Sequence, residues 1–444
     1  MDVTQTLARY LVESRLDDIP REVRHEAARA LLNWLGCAIG ACTHETVQCA
    51  LAALGDFSGP PQAQVFGRAE RLDCLHAALI NGISSHVLDY DDTHPHAIHP
   101  SAPVWPALLA LGEWRGLGGA QLVHAFVLGV EAECRIGDAV YPAHYDAGWH
   151  ATGTCGVFGA AAAAGKLLGL DSRQMAWALG IAATQSAGLR EMFGSMCKRL
   201  HPGRAAQNGL AAALLASKNF TSSERGLEAP RGFAHVLASA RDFSAITEGL
   251  GKSHALMQNM YKPFACGLVV QPAIDGCIQL RNEHKLAAAD IARVEVRGNP
   301  LVLELTGKTT PQTGLEGKFS IYHACAVGLL FGAAGEPQFA DAVVRDPQVV
   351  ALRAKVSASV DRAVRKDEAY VTIGLADGRT LEKHVEHAIG TLERPMSDAD
   401  LERKFRGLTT DTLAPRRIDE LIALCWNIGT LADAGAIGRA ATPS

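Results

Sequence analysis

The chain has 444 residues, 42 Lys+Arg against 47 Asp+Glu for a formal charge of -5, and 48% hydrophobic residues. That balance excludes a disordered, collagen-like or small disulfide-bonded scaffold, and a domain size of about 150 residues points to two or three domains. The charges are interspersed, with no basic stripe to track a phosphate backbone, so no nucleic-acid partner is expected.

The first twenty residues carry Asp2, Arg9, Glu13, Arg15, Asp17 and Asp18, and so lack the apolar middle of a signal peptide. Apolar runs elsewhere stop short of the roughly 20 residues that span a bilayer. A cytoplasmic protein without membrane contact is expected. The eleven cysteines are scattered without a C-x-x-C pair, which reads as reduced thiols and argues against an iron–sulfur cluster.

From Ile19, the positions Ile19, Val23, Ala27, Leu31, Leu35 and Ala38 recur every three to four residues, the spacing of an amphipathic helix. Similar patterns predict helices over residues 73–87, 104–114, 120–137, 154–168, 172–186 and 204–217, so the first 255 residues read as almost all helical. After about residue 285 the pattern changes. Alternation at 292–297 and again from Ala369 predicts strands, the second with a hairpin turn at Asp377-Gly378. Helices are predicted at 322–330 and 339–345, and two more begin near Asp398 and Pro415. The fold class is therefore mainly α: a large helical domain, 1–258 plus 397–444, with a smaller α+β lid domain, 259–396, inserted into it.

The densest ionisable cluster is His86-Val-Leu-Asp-Tyr-Asp-Asp-Thr-His-Pro-His-Ala-Ile-His-Pro-Ser101. Its prolines keep residues 94–100 out of both flanking helices, which leaves a loop of acids and imidazoles at helix ends, either capping those helices or doing chemistry. No H-E-x-x-H is present, and His94/His96 is the only H-x-H, so no metal is expected here. Asp89, Asp91 and Asp92 do not form the D-D-x-x-D of a magnesium-diphosphate site. A second cluster, Gly194-Ser-Met-Cys-Lys-Arg-Leu-His-Pro-Gly-Arg204, reads as a cationic loop ahead of a helix, suited to a carboxylate. His150, Lys262 and Tyr322 are weaker single candidates. Nucleophile-elbow, P-loop and dinucleotide signatures are missing.

These pieces together resemble the MmgE/PrpD family, which includes 2-methylcitrate dehydratases, cis-aconitate decarboxylases and iminodisuccinate epimerases. The likeness is carried by Asn81-Gly, His86-Val-Leu-Asp-Tyr-Asp-Asp-Thr, His99-Pro-Ser-Ala-Pro-Val, Val65-Phe-Gly-Arg, Gly148-Trp-His, Lys198-x-Leu-His, Tyr261-Lys-Pro and Lys318-Phe-Ser-Ile-Tyr. It implies a homodimer whose active site lies between domains and works without cofactor or metal. The resemblance further implies that Asp89, Thr93, His99, His150, Lys198, Lys262 and Tyr322 converge there. Lys198 and Lys262 would hold substrate carboxylates, with Thr93 and His201 as further binding residues. His99 and His150 would move protons, Asp89 would orient an imidazole, and Tyr322 would donate a proton. After Lys262-Pro-Phe many members carry a His where this chain has Ala265-Cys-Gly-Leu-Val-Val-Gln271. The expected activity is a lyase on a small di- or tricarboxylate, first a 2-methylcitrate dehydratase-like hydro-lyase. An iminodisuccinate-type epimerase, a cis-aconitate-type decarboxylase and a non-catalytic carboxylate binder stand as alternatives.

Overall fold

A computed structural model describes residues 2–96 and 98–443. The protein is mainly helical with a smaller α+β portion, as expected, and divides into two compact units. Unit 1 comprises the chain up to Val87, Asp91–Asn259 and the residues from Leu401 onward; unit 2 comprises Leu88–Tyr90 and Met260–Asp400.

Up to residue 216 the longer helices of unit 1 are α1 (Val3–Glu13), α2 (Arg21–Gly40), α3 (Glu45–Leu54), α4 (Cys74–His86), α5 (Ser101–Arg115), α6 (Gly119–Val140), α7 (Gly156–Leu167), α8 (Ser172–Ala183) and α9 (Cys197–Ala216). A two-residue ribbon, β1 (Ala63–Gln64) with β2 (Arg71–Leu72), precedes α4. The Asp73 carboxylate starts α4 by accepting from the backbone N–H groups of Leu75 and His76 at 2.9 and 3.1 Å. Helix α7 is buried from Gly156 to Gly165 and forms the centre of the core. Its Gly and Ala surface admits its neighbours closely: a Cβ added to Gly129 of α6 would stand 2.8 Å from the Gly159 carbonyl oxygen, and one on Gly209 of α9 2.5 Å from the Ala160 Cβ.

Two expectations fail in this unit. The cationic segment before residue 204 is not a loop, since α9 begins at Cys197 and holds Lys198, Arg199, His201 and Pro202. Proline inside a helix sacrifices one backbone hydrogen bond, but here α9 crosses α4 so tightly that a Cβ on Gly203 would lie 2.4 Å from the Leu79 carbonyl oxygen. Packing outweighs the local penalty. Nor is the stretch from Ser217 to Asn259 helical throughout, having only short pieces such as Phe233–Leu237 and Ser244–Thr247. Ser222, Ser223, Gly226, Pro230 and Gly232 interrupt it.

Unit 2 contains α10 (Gln271–His284), α11 (Ile321–Phe331), α12 (Pro347–Arg353) and a four-stranded sheet of β3 (Ile291–Gly298), β4 (Val356–Val360), β5 (Ala369–Leu375) and β6 (Thr380–Val385). The sheet order is β4-β3-β5-β6, with β3 parallel to β4 and the other pairs antiparallel. The β5–β6 hairpin turns where Asp377-Gly378 predicted it, Gly378 taking φ +90°. Helix α10 lies on the sheet through Gly276, whose Cβ would meet Val371 at 2.9 Å. The helix expected over 339–345 shortens to Asp341–Val344. Helices α13 (Asp398–Thr409) and α14 (Pro415–Trp426) start where the sequence placed them. In unit 1, Gly36 and Gly40 of α2 face Phe405 and Leu408 of α13. Among the described residues no helix is long and apolar enough to cross a membrane.

Candidate active site

The acid and imidazole run emerges as the loop between α4 and α5, and its groups turn inward. His86, at the last turn of α4, and Asp91 are both fully buried, with His86 Nδ1 2.8 Å from Asp91 Oδ2. A carboxylate there accepts, so His86 carries its proton on Nδ1 and presents a bare Nε2, which has no hydrogen-bond partner among the described residues. Burial pushes His86 down to about 3; Asp91 pulls it back and Lys198 pushes it further down. The ring is a neutral, oriented base.

His99 stands at right angles to it, ring centres 4.7 Å apart. Its Nδ1 lies 2.8 Å from the Asp92 carbonyl oxygen and 3.4 Å from Asp91 Oδ2, so Nδ1 donates and Nε2 is left as the acceptor nitrogen. The His99 backbone N–H donates to Thr152 Oγ1 at 3.1 Å, which ties the loop to the segment carrying His150. Asp92 accepts from Ser101 Oγ at 2.6 Å and Asn259 Nδ2 at 2.7 Å, holding the start of α5. Burial pushes its carboxyl up to about 6, the Ser101 bond opposing and the Asp91 charge adding. Thr93 is buried in the same loop.

His150 lies 5.9 Å from His86, ring to ring, and its Nδ1 is 2.9 Å from Nδ1 of His201 on α9. One of these nitrogens must donate and the other accept, so the pair shares a single proton along that line. Burial followed by the Lys198 charge lowers both imidazoles, His201 to about 4 and His150 well below its ordinary value. Gly188 makes room, since its φ is +138° and a Cβ there would lie 3.2 Å from the His201 ring. Lys198 itself is buried on α9, 5.1 Å from the Phe193 ring centre. Unit 1 thus gathers Thr93, His99, His150, Lys198 and His201 into one buried group, joined by His86, Asp91 and Asp92.

The remaining candidates belong to unit 2. Asp89 takes a left-handed backbone, φ +54°, and both its carbonyl oxygen and Oδ1 accept from Lys262 Nζ, at 2.8 and 3.0 Å. Asp91, two residues on, is a carboxylate that the sequence reading did not single out, and it bonds His86 directly. Tyr322 is half-buried on α11. Gln271, at the position of interest after Lys262, is a structural clamp. Its amide nitrogen, Nε2, donates to the carbonyls of Phe264, Cys266 and Gly267 at 3.1–3.3 Å, and its oxygen accepts from the Phe264 N–H at 3.3 Å.

The sequence reading passed over His86 and Asp91 as site residues although both stood in the run it singled out. With three aspartates in four positions, spacing alone cannot say which one faces a ring. A five-residue separation bridging a helix end and a tight turn was the available signal.

A buried group of imidazoles beside a lysine can move protons next to a negatively charged group. Residues 5–246 match the MmgE/PrpD N-terminal domain and residues 264–428 the MmgE/PrpD C-terminal domain, and the chain belongs to that family. It is 28% identical to the cis-aconitate decarboxylase of Homo sapiens over 97% of this chain and 92% of the relative. Likeness to the cis-aconitate decarboxylase of Aspergillus terreus is 27% over 97% and 94%. The 2-methylcitrate dehydratase of Cupriavidus necator is 28% identical over 34% of this chain and 35% of the relative. These relatives are enzymes, and they support an enzyme here.

Proposed function

We propose that this chain is a cofactor-independent lyase acting on a small di- or tricarboxylate of the citrate or aconitate type. The observation that carries the reading is the buried cluster of His86, His99, His150 and His201 around Lys198: bases and proton carriers beside a fixed cation. Removal of CO2 or of H⁺ next to a carboxylate leaves an electron pair that spreads onto carboxylate oxygen, and a buried ammonium stabilises that charge where water cannot.

Between the two lyase reactions, the full-length likeness to cis-aconitate decarboxylases favours decarboxylation. There the C–C bond to the departing carboxylate breaks, CO2 leaves, and the electron pair left on the substrate takes a proton held on an imidazole. The hydro-lyase reading keeps the partial likeness to a 2-methylcitrate dehydratase. In it, an imidazole takes the proton from carbon while the hydroxyl leaves with another as water. His99 and His150 are the proposed proton carriers and Lys198 the carboxylate anchor. Lys262, Thr93 and His201 are proposed as binding residues and Tyr322 as a proton donor.

Proton NMR of the chelator-treated protein in D₂O with cis-aconitate, citrate, 2-methylcitrate and iminodisuccinate tests this. Loss of a carboxyl with deuterium gain on carbon is expected for cis-aconitate, and a new olefinic signal from 2-methylcitrate would select the hydro-lyase instead. Deuteration alone would make the chain an epimerase, and binding without any exchange would make it a carboxylate-binding member.

A further inference from the structure

On the same loop in unit 1, but outside the group just described, His94 and His96 meet Asp138 of α6. One donor atom from each lies within 4.8 Å of the other two. The meeting is produced by packing. The His94 N–H donates to the Ile98 carbonyl at 2.7 Å, which closes the loop tip, and Ile98 presses on α6 at Gly137, where a Cβ would lie 2.3 Å from Ile98 Cδ1. Only glycine lets the loop come this close, and Asp138 is the next residue.

His94 is 2% exposed, and among the described residues neither of its ring nitrogens has a hydrogen-bond partner. A buried imidazole with both nitrogens unsatisfied forfeits hydrogen bonds that water would have supplied. His96 Nδ1 lies 2.5 Å from Asp138 Oδ1, and their side chains are 40% and 28% exposed, which leaves a way in from solvent. Tyr141 stacks on His96 with ring centres 4.4 Å apart and limits how that ring can turn.

We propose that His94, His96 and Asp138 bind a divalent transition-metal ion, with zinc as the reference ligand. Two imidazoles and one carboxylate suit such an ion, and water would complete its coordination. Tetrahedral donors sit roughly 3.4 Å apart around zinc, so the 2.5 Å His96–Asp138 pair has to open by about an ångström for both groups to ligate, within the reach of side-chain rotation. The ion pins the loop carrying Asp91, Asp92, Thr93 and His99 to α6 and takes no part in the reaction proposed above.

The test is zinc titration of chelator-stripped full-length protein against a chromophoric chelator, with cobalt absorption as a second readout. One ion per chain is expected, and His94→Ala and Asp138→Asn should each weaken binding at least ~10-fold, as loss of a ligand does. Circular dichroism checks that each variant is folded; Asp138, being partly exposed, is the safer of the two. Cobalt bound by the intact site should show histidine-perturbed visible bands that Asp138→Asn removes. Absence of saturable binding would overturn the proposal, as would binding unchanged in Asp138→Asn. Binding lost only in His387→Ala, in the Asp367, His387 and Glu393 cluster of unit 2, or only in His99→Ala, would also overturn it. Because the readout is metal binding, failure here leaves the lyase reading untouched, and the NMR experiment can fail with this site intact.

Discussion

Asp91 is the side chain on which the imidazoles depend: one oxygen takes the His86 Nδ1 proton at 2.8 Å and lies 3.4 Å from His99. Asp91→Asn leaves the shape but offers an amide that can donate toward the ring, so His86 can adopt the other tautomer. A fall in kcat/KM of at least ~100-fold with unchanged circular dichroism is expected, and the same for His99→Ala and Lys198→Ala, the usual scale for acid–base groups. Near-normal turnover in any of the three would remove that residue from the mechanism. Gln271 belongs to a different kind of residue. Its amide closes the 264–267 turn through several backbone bonds, so Gln271→Ala should cost about 1–3 kcal/mol in urea unfolding by stranding buried polar groups. It should leave the pH profile of turnover in place, whereas a profile that moves would give Gln271 a part in proton transfer.

Helices α4 and α9 carry His86 at the end of one and Lys198 with His201 near the start of the other. What sets their distance is the Gly82–Gly203 crossing, where a Cβ on Gly82 would stand 2.7 Å from the Gly203 Cα. Gly203→Ala must push the helices apart, an overpacking change worth about 1–3 kcal/mol. The same displacement should lower kcat/KM beyond what lost stability explains at a temperature where the variant is fully folded. Denaturant melts and kinetics on one preparation separate the two effects, and full activity in a destabilised variant would show that the crossing sets stability alone. Sheet strands tell a complementary story. Strand β5 alternates and was predicted, while β4, Val356-Ser-Ala-Ser-Val360, is an edge strand with mostly exposed small side chains. It owes its form to pairing with β3 and not to its own pattern.

Across the whole molecule, imidazoles are buried neutral: His86 is pushed down to about 3, and His94, His124, His201 and His323 to about 4, each chiefly by burial, from an ordinary 6.5. Below 6.5 the unfolded chain binds protons that the native one refuses, so this stability is lost as pH falls toward those values. Asp92, raised from 3.8 to about 6, and Glu133, buried and raised well above 4.5, work the other way, their contribution being lost as pH rises. His144 and His150 are lowered by burial as well, so seven imidazoles outnumber the two carboxyls and the melting temperature should be lower at pH 5 than at pH 7; an equal or higher value at pH 5 would contradict the neutral cluster. The sequence by itself determined the helices whose apolar positions recur along one face, the Asp377-Gly378 hairpin, the mainly helical class and the segment that holds the acids and imidazoles, because each is set by neighbours a few residues away. Only the tertiary structure decided that Asp91 bonds the His86 ring, that Pro202 sits inside a helix, and that His150 and His201, 51 residues apart, share a proton. Those outcomes depend on how two helices cross and on which way a turn points a carboxylate, and no local spacing encodes either.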